Sequence, residues 1–353
     1  MDPQEDPIAC PSCFTDQGLR LDSQRLGQTK PGRCPNCGVT SDKKLPLAGI
    51  GMLAHRFFVW GSLSKRKYGA APVVQFNEHQ KTSIAVPNWL SPDLRLFERL
   101  LSVGFFHYGP RLWMIGEVEP LKDLQKRSRR KRIIDRILGE YPTVAIPEAQ
   151  VFYRIRVNPE HPSDPSEFDS APTESARPGR LNTATFPVMY ASPDLDVCIH
   201  ECRAGAEDDL FVASLAPTRT LRMLNLAALL KEENVTEFES LDMAVHMLFL
   251  AGRHAYPITR AIATAARNAG FDGVMYPSYF SLLRTGAMPL LTTYGMSHRR
   301  IPQLQDEEQS KLIPNLGIFG RPLTEELLSL RCINRLILSR VVYDYHFGPS
   351  TVE

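Results

Sequence analysis

The sequence has no apolar run long enough to cross a bilayer. The longest, LDMAVHMLFLAG, is interrupted by His246 and falls short of the roughly 20 residues a spanning helix needs. No apolar leader follows the acidic start MDPQEDPIACPSC, so a secretory signal is not expected. Net charge is small, +2 over 353 residues, and makes no demand for a polyanionic partner. Cysteine is scarce, and four of the 7 fall in two Cys-x-x-Cys pairs, which argues against a disulfide framework. Together these absences point to a cytoplasmic protein without a membrane role.

What remains is ordinary for a globular chain, 43% hydrophobic and 23% charged, and long enough for two or three domains. Three regions are expected: 1–44, 45–148 and 149–353. The first is framed by Cys10 and Cys13 in CPSC and by Cys34 and Cys37 in CPNC. Two thiolate knuckles joined by a hairpin can close a tetrahedron around one zinc ion, and four thiolates leave no open position for substrate. The expectation is a structural zinc ribbon that stabilises a segment with little apolar core of its own.

The second region reads as a small helical domain. DLRLFERLLSVGFFHYG and KRIIDRILGEYP repeat apolar residues at three- and four-residue intervals, and Ser91-Pro92-Asp93 signals a helix start. GIGMLA matches the glycine spacing of a dinucleotide-binding turn but lacks the strong preceding strand that the motif requires. KRSRRKR, Lys126 to Arg132, carries six cations in seven residues. It reads as the solvated opening of a helix, with phosphate contact the competing use.

The third region mixes strands and helices. VFYRIRV alternates, placing Phe152, Arg154 and Arg156 on one strand face and Tyr153 and Ile155 on the other. A Pro- and Ser-rich loop ends at Arg180 and reads as a mobile lip over a site, FPVMYAS is a strand, and Ser192-Pro193-Asp194 starts a helix with Pro193 at its first position. On that helix, at about 100° per residue, Leu195, Cys198, Ile199 and Cys202 share an apolar stripe while His200 points away, so the Cys-x-His-x-Cys run cannot hold one metal. Glu201 falls at the border of the stripe, half-shielded. Its company of Arg154, Arg156, Arg180 and Tyr190 makes an acid beside anion-binding and stacking groups.

FYRIR, GRLNTATFPVMYAS, CIHECRA and AARNAGFDGVMYPS, in that order, resemble the RES domain family over about 150 to 347. The second region resembles the HEPN-like helical module that precedes some RES domains. The resemblance implies an α+β fold like that of ADP-ribosyltransferases and an activity that consumes NAD. It implies Glu201, Arg154 and Ser278 as the named Glu, Arg and Ser, with Arg180, Tyr190, Arg156 and Thr259 as substrate-binding candidates; Thr259 stands where some members carry a serine. Leu181 replaces the usual tryptophan of the Gly-Arg-Trp-Asn element. Many RES proteins are toxins held by a partner antitoxin. The leading expectation is therefore an NAD-degrading toxin or defence effector, by phosphorolysis or hydrolysis, with an antitoxin or regulatory partner. A homodimer is compatible with this arrangement. The alternatives are an ADP-ribosyltransferase acting on a macromolecule, and a non-catalytic zinc-ribbon protein that binds nucleic acid.

Overall fold

The computed structural model describes residues 6–66, 69–107, 118–172, 177–286, 291–293, 296–342 and 345–352. Residues 173–176 of the expected lip lie outside this set.

The N-terminal portion is built on α1 (Gln17–Leu26), α2 (Leu47–Ala54) and α3 (Ser91–Leu101). Asp16 caps α1 by accepting from the Leu19 N–H, and the buried Asp93 of α3 accepts from the N–H groups of Thr15 and Asp16 at 2.7 and 2.6 Å. A carboxylate from one helix thus satisfies orphan donors at the entry to another. Gly49 and Gly51 lie inside α2, which runs on into a π-helical turn at His55–Val59, so GIGMLA forms no phosphate-binding turn.

The second region is not purely helical. β1 (Leu63–Arg66) pairs with β2 (Gly69–Pro72), and β3 (Val74–Asn77) pairs with β4 (Gly104–His107). In β3 and β4, Val74, Phe76, Phe105 and Phe106 are the aromatic and β-branched residues that favour strands on a half-buried surface. Phe14, Leu19 and Leu45 pack with Phe57, Phe58, Phe97 and Phe105 in one apolar cluster. The segment beyond residue 117 packs elsewhere. α4 (Glu119–Gln125) and α5 (Arg127–Glu140) bury Leu121, Leu124, Ile133 and Ile137 against the helices and sheet of the third region. KRSRRKR does open a helix, and four of its six cations are answered locally: Arg129 and Arg132 reach Asp123, Arg130 reaches the Leu124 carbonyl, and Lys131 pairs with Asp135.

The third region is α+β, built on a two-sheet layer that also takes in the last strand of the second region. Its strands are β5 (Thr143–Ile146), β6 (Phe152–Val157), β7 (Val188–Ala191), β8 (Leu210–Pro217), β9 (Leu221–Asn225), β10 (Gly273–Pro277), β11 (Pro314–Phe319) and β12 (Leu328–Leu336). One sheet runs β5-β9-β10-β11-β7, with β9 and β10 parallel and the other pairs antiparallel; the other runs β12-β8-β6. Phe152, Ala213 and Leu215 meet Met189, Leu221, Met223 and Ile318 between the sheets. Outside the small sheet, Ile155 and Val212 pack on α6 (Leu195–Cys202). The faces expected for VFYRIRV are therefore the faces observed. On the far side of the large sheet, α7 (Leu241–Leu250) and α8 (Tyr256–Asn268) build the largest apolar cluster.

The chain finally crosses back. Phe347 and Val352 pack against the N-terminal cluster, and Arg25 donates to the Tyr345 carbonyl at 2.7 Å with its guanidinium 4.3 Å from that tyrosine's ring centroid.

Candidate active site

α6 begins two residues later than the sequence signal. Asp194, not Ser192, is the N-cap, because its carboxylate accepts from the Val197 N–H at 3.0 Å. Leu195, Ile199 and Cys202 pack around Cys198 on the small sheet. Burial pushes the Cys198 thiol up to about 12, and its Sγ lies 3.2 Å from the Tyr153 carbonyl oxygen. His200 turns outward and stacks on Phe280, ring centroids 5.6 Å apart and 19° between planes. No metal cluster forms on this helix among the described residues.

Glu201 lies in the last turn, just before Arg203 takes the left-handed conformation (φ 52°) and ends the helix. Its side chain is exposed rather than half-shielded, since the chain turns away before covering it. Oε1 accepts from Ser278 Oγ at 2.7 Å and from Asn315 Nδ2 at 2.6 Å. Ser278 follows β10 directly, and Asn315 sits on β11 opposite Tyr276 of β10. Both bonds fall on one oxygen, and among the described residues Oε2 has no partner. Ser278 and Asn315 are themselves buried, so the exposed carboxylate is anchored from beneath.

The Gly-Arg-Leu-Asn turn is tied to Tyr190 of β7, two strands across the large sheet from β10. Tyr190, on β7, donates to Asn182 Oδ1 at 2.9 Å and accepts from the Leu181 N–H at 2.8 Å. A Cβ on Gly179 would stand 2.3 Å from Asn182 Oδ1 and 3.2 Å from the Tyr190 hydroxyl, so a side chain there would push Asn182 off its bond with Tyr190. Thr259 Oγ1 donates to the Arg180 carbonyl, and Arg260 Nε donates to the Gly179 carbonyl at 2.8 Å. The Arg180 guanidinium lies 5.0 Å from the Tyr256 ring centroid and also donates to the carbonyls of Phe249 and Ala251 at 3.3 and 3.4 Å. Leu181 is buried, and a Cβ on Gly317 would come within 2.5 Å of its Cδ1. The buried Tyr276 has its phenol pushed well up, first by burial and then by the nearby Tyr190 and Glu201. Glu201, Ser278, Asn315, Tyr190 and Arg180 therefore surround one place on the large sheet.

Arg154 and Arg156 go elsewhere. Arg154 is buried between the sheets and donates to the carbonyls of Tyr190 at 2.9 Å and Asp169 at 3.0 Å. Burial and the neighbouring Arg156 bring its pKa down to about 10. Arg156 is bonded to the Glu167 carbonyl. Both guanidiniums hold backbone, Arg154 from a buried position and Arg156 from a half-exposed one through its Nε. Asn315 was missed by the sequence reading; its only signal is one polar residue at the head of an apolar strand, PNLGIF.

At the other end of the chain, Cys10, Cys13, Cys34 and Cys37 bring their sulfurs within 4.8 Å of one another. The separations are 3.9 Å for Cys10–Cys13 and 3.6 Å for Cys10–Cys37 and Cys13–Cys34. A tetrahedron with Zn–S bonds of about 2.3 Å has edges of about 3.8 Å, so the set fits one zinc. Asn36 Nδ2 lies 3.1 Å from Cys13 Sγ, and Arg99 of α3 donates to Asn36 Oδ1 at 2.8 Å. Such outer contacts orient metal ligands.

No described helix is long and apolar enough to cross a membrane. A model of the RES domain family matches residues 151–301, which include Glu201, Ser278 and the Gly-Arg turn. No curated protein matches the chain. Among solved structures, the crystal structure of the M. tuberculosis MbcT–MbcA toxin–antitoxin complex is similar, at 16% identity and a TM-score of 0.33. That match covers 57% of this chain and 91% of the other.

Proposed function

We propose that the protein cleaves the nicotinamide–ribose bond of NAD. The observation that carries this reading is the exposed Glu201 carboxylate, held through one oxygen by Ser278 and Asn315, within the residues that match the RES family. Breaking the C1′–N bond sends its electron pair to the ring nitrogen. The cationic nicotinamide ring leaves neutral, and positive charge develops on the ribose. A fixed carboxylate beside that charge lowers the barrier because it needs no reorganisation as the charge appears. Water or phosphate then forms the new C1′–O bond; with water, its proton passes to the carboxylate side.

In this scheme Glu201 Oε2 faces the ribose while Ser278 and Asn315 orient the carboxylate. Arg180 meets phosphate oxygens, giving up its two long carbonyl bonds for charge-assisted ones. Tyr190 and Thr259 hold the turn that carries Arg180. Arg154, with Arg156, positions β7 and the 167–169 segment from behind. The four cysteines hold a structural zinc that supplies no catalytic step. The resemblance to RES proteins extends the proposal to a growth-inhibiting toxin held by an antitoxin.

The test is incubation of the purified protein with NAD, with and without phosphate, following nicotinamide and the ADP-ribose product. Release of nicotinamide with ADP-ribose or its 1-phosphate is expected. No turnover under either condition overturns the proposal, and label transferred to a protein or nucleic acid would make the enzyme a transferase instead.

A further inference from the structure

Behind Ser278, between α7 and the end of β10, lies a cavity of about 40 Å³. At roughly 10–15 Å³ for each water-sized occupant, it has room for a group of about three heavy atoms. Its apolar wall includes Met243, Phe249, Leu250 and Leu312. The cations that line it are already paired. Arg299 makes two bonds to Asp242, at 2.9 and 2.8 Å, and Lys311 reaches Glu307 and Glu308 at 2.9 and 2.7 Å. Among the described residues, an anion entering this space would find no spare positive charge, and a cation no spare carboxylate on the Asp242 side.

His246 also lines the cavity and forms no hydrogen bond with any described residue; its Nδ1 is fully buried. Burial, aided by Arg299, holds its pKa well below the usual imidazole value, so the ring is neutral and offers one donor and one acceptor. Ser278 is common to both places. It lines the cavity while its Oγ donates to Glu201 Oε1.

We propose that this cavity is a subsite for a neutral primary amide, the carboxamide of the departing pyridine ring, with His246 as its recognition residue. A carboxamide has three heavy atoms, carries both donor and acceptor, and has no charge to desolvate. Its ring would lie toward Ser278 and the carboxylate at which the glycosidic bond breaks. The inference rests on the reading of Glu201 given above. It adds a specificity: the acid analogue, with a carboxylate in place of the amide, is disfavoured because no unpaired cation awaits it. Sites built to hydrogen-bond a particular group reject analogues that leave buried polar atoms unpaired.

The experiment is calorimetric titration of the full chain with nicotinamide, nicotinate and ADP-ribose, repeated on His246→Leu and His246→Gln. Nicotinamide is expected to bind at least about 10-fold more tightly than nicotinate. His246→Leu should weaken nicotinamide by about 10-fold while leaving ADP-ribose affinity unchanged, and His246→Gln, which keeps a donor and an acceptor, should retain most of the binding. Equal affinity for nicotinamide and nicotinate overturns the inference, as does nicotinamide binding indifferent to His246→Leu. If His246→Leu does not fold, the wild-type comparison and the glutamine variant decide. NAD turnover with nicotinamide binding blind to His246 would remove only this subsite. Nicotinamide binding that follows His246 in a protein that leaves NAD intact would remove the proposed function and keep the amide site.

Discussion

Asn315 Nδ2 lies 2.6 Å from Glu201 Oε1, joining a strand to a helix across 114 residues of sequence. The bond fixes which oxygen of the carboxylate remains open. Replacing Glu201 with Gln keeps the shape and removes the charge. We expect turnover to fall by about 10²–10³ or more with the melting temperature unchanged. A fully active Glu201→Gln enzyme would show that the carboxylate has been misassigned.

Asn315→Ala keeps the charge and releases its direction. A displacement of about 1 Å can cost 10²-fold in rate, so kcat should drop roughly 10- to 100-fold. Steady-state kinetics beside a circular dichroism melt checks this. An unchanged kcat would mean that Ser278 alone suffices to hold Glu201.

Gly179→Ala drives a methyl group into Asn182 Oδ1, which must swing away from the Tyr190 hydroxyl. We expect a loss of about 1 kcal/mol of stability from the broken buried bond. KM should rise as the backbone that carries Arg180 shifts. Tyr190→Phe should reproduce most of this effect; if it leaves KM and melting untouched, the hydroxyl does not order the turn.

Elemental analysis should find about one zinc per chain, lost together with the N-terminal core on chelation, because the ribbon and that core share Phe14, Leu19 and Phe97. Asn36→Ala should weaken zinc affinity by roughly 10- to 100-fold through its lost contact with Cys13 Sγ. A metal-free protein that melts at the same temperature would refute the site.

His246 gives the protein an acid sensitivity of known sign. Its folded pKa is depressed, so below about pH 6.5 the unfolded chain binds a proton that the native chain refuses. Its share of stability is therefore full above that pH and shrinks as pH falls, by up to about 1.4 kcal/mol per pH unit. Melting temperatures between pH 7.5 and 5 should fall less steeply for His246→Leu than for the parent. Parallel slopes would mean that His246 is not sealed from solvent.

The candidate site could be read where its residues are close in sequence. The Gly-Arg-Leu-Asn turn, Tyr190 and Glu201 lie within 25 residues, and helical geometry separated Glu201 from the buried Cys198, the half-buried Cys202 and the outward His200. Arg154 was legible as a residue but not as a use. Strand alternation gives its face, while only the tertiary fold shows that face closed by a second sheet. Asn315 was illegible because its partner is chosen by the β10–β11 register. The short pairing of β3 with β4 escaped for a similar reason, since Val74 and Phe105 are fixed by packing with Phe57, Phe58 and Phe97 rather than by their own periodicity.

The return of residues 345–352 to the N-terminal core orders events in time. Phe347 seats against α1, its ring atoms as close as 2.7 Å to where a Cβ on Gly18 would stand, and its N–H reaches Asp22 at 3.1 Å. On the ribosome, α1 thus waits for a segment made more than 300 residues after it before this surface is closed. The cysteine-bearing portion is in that sense closed only after the whole Glu201 site has been synthesised.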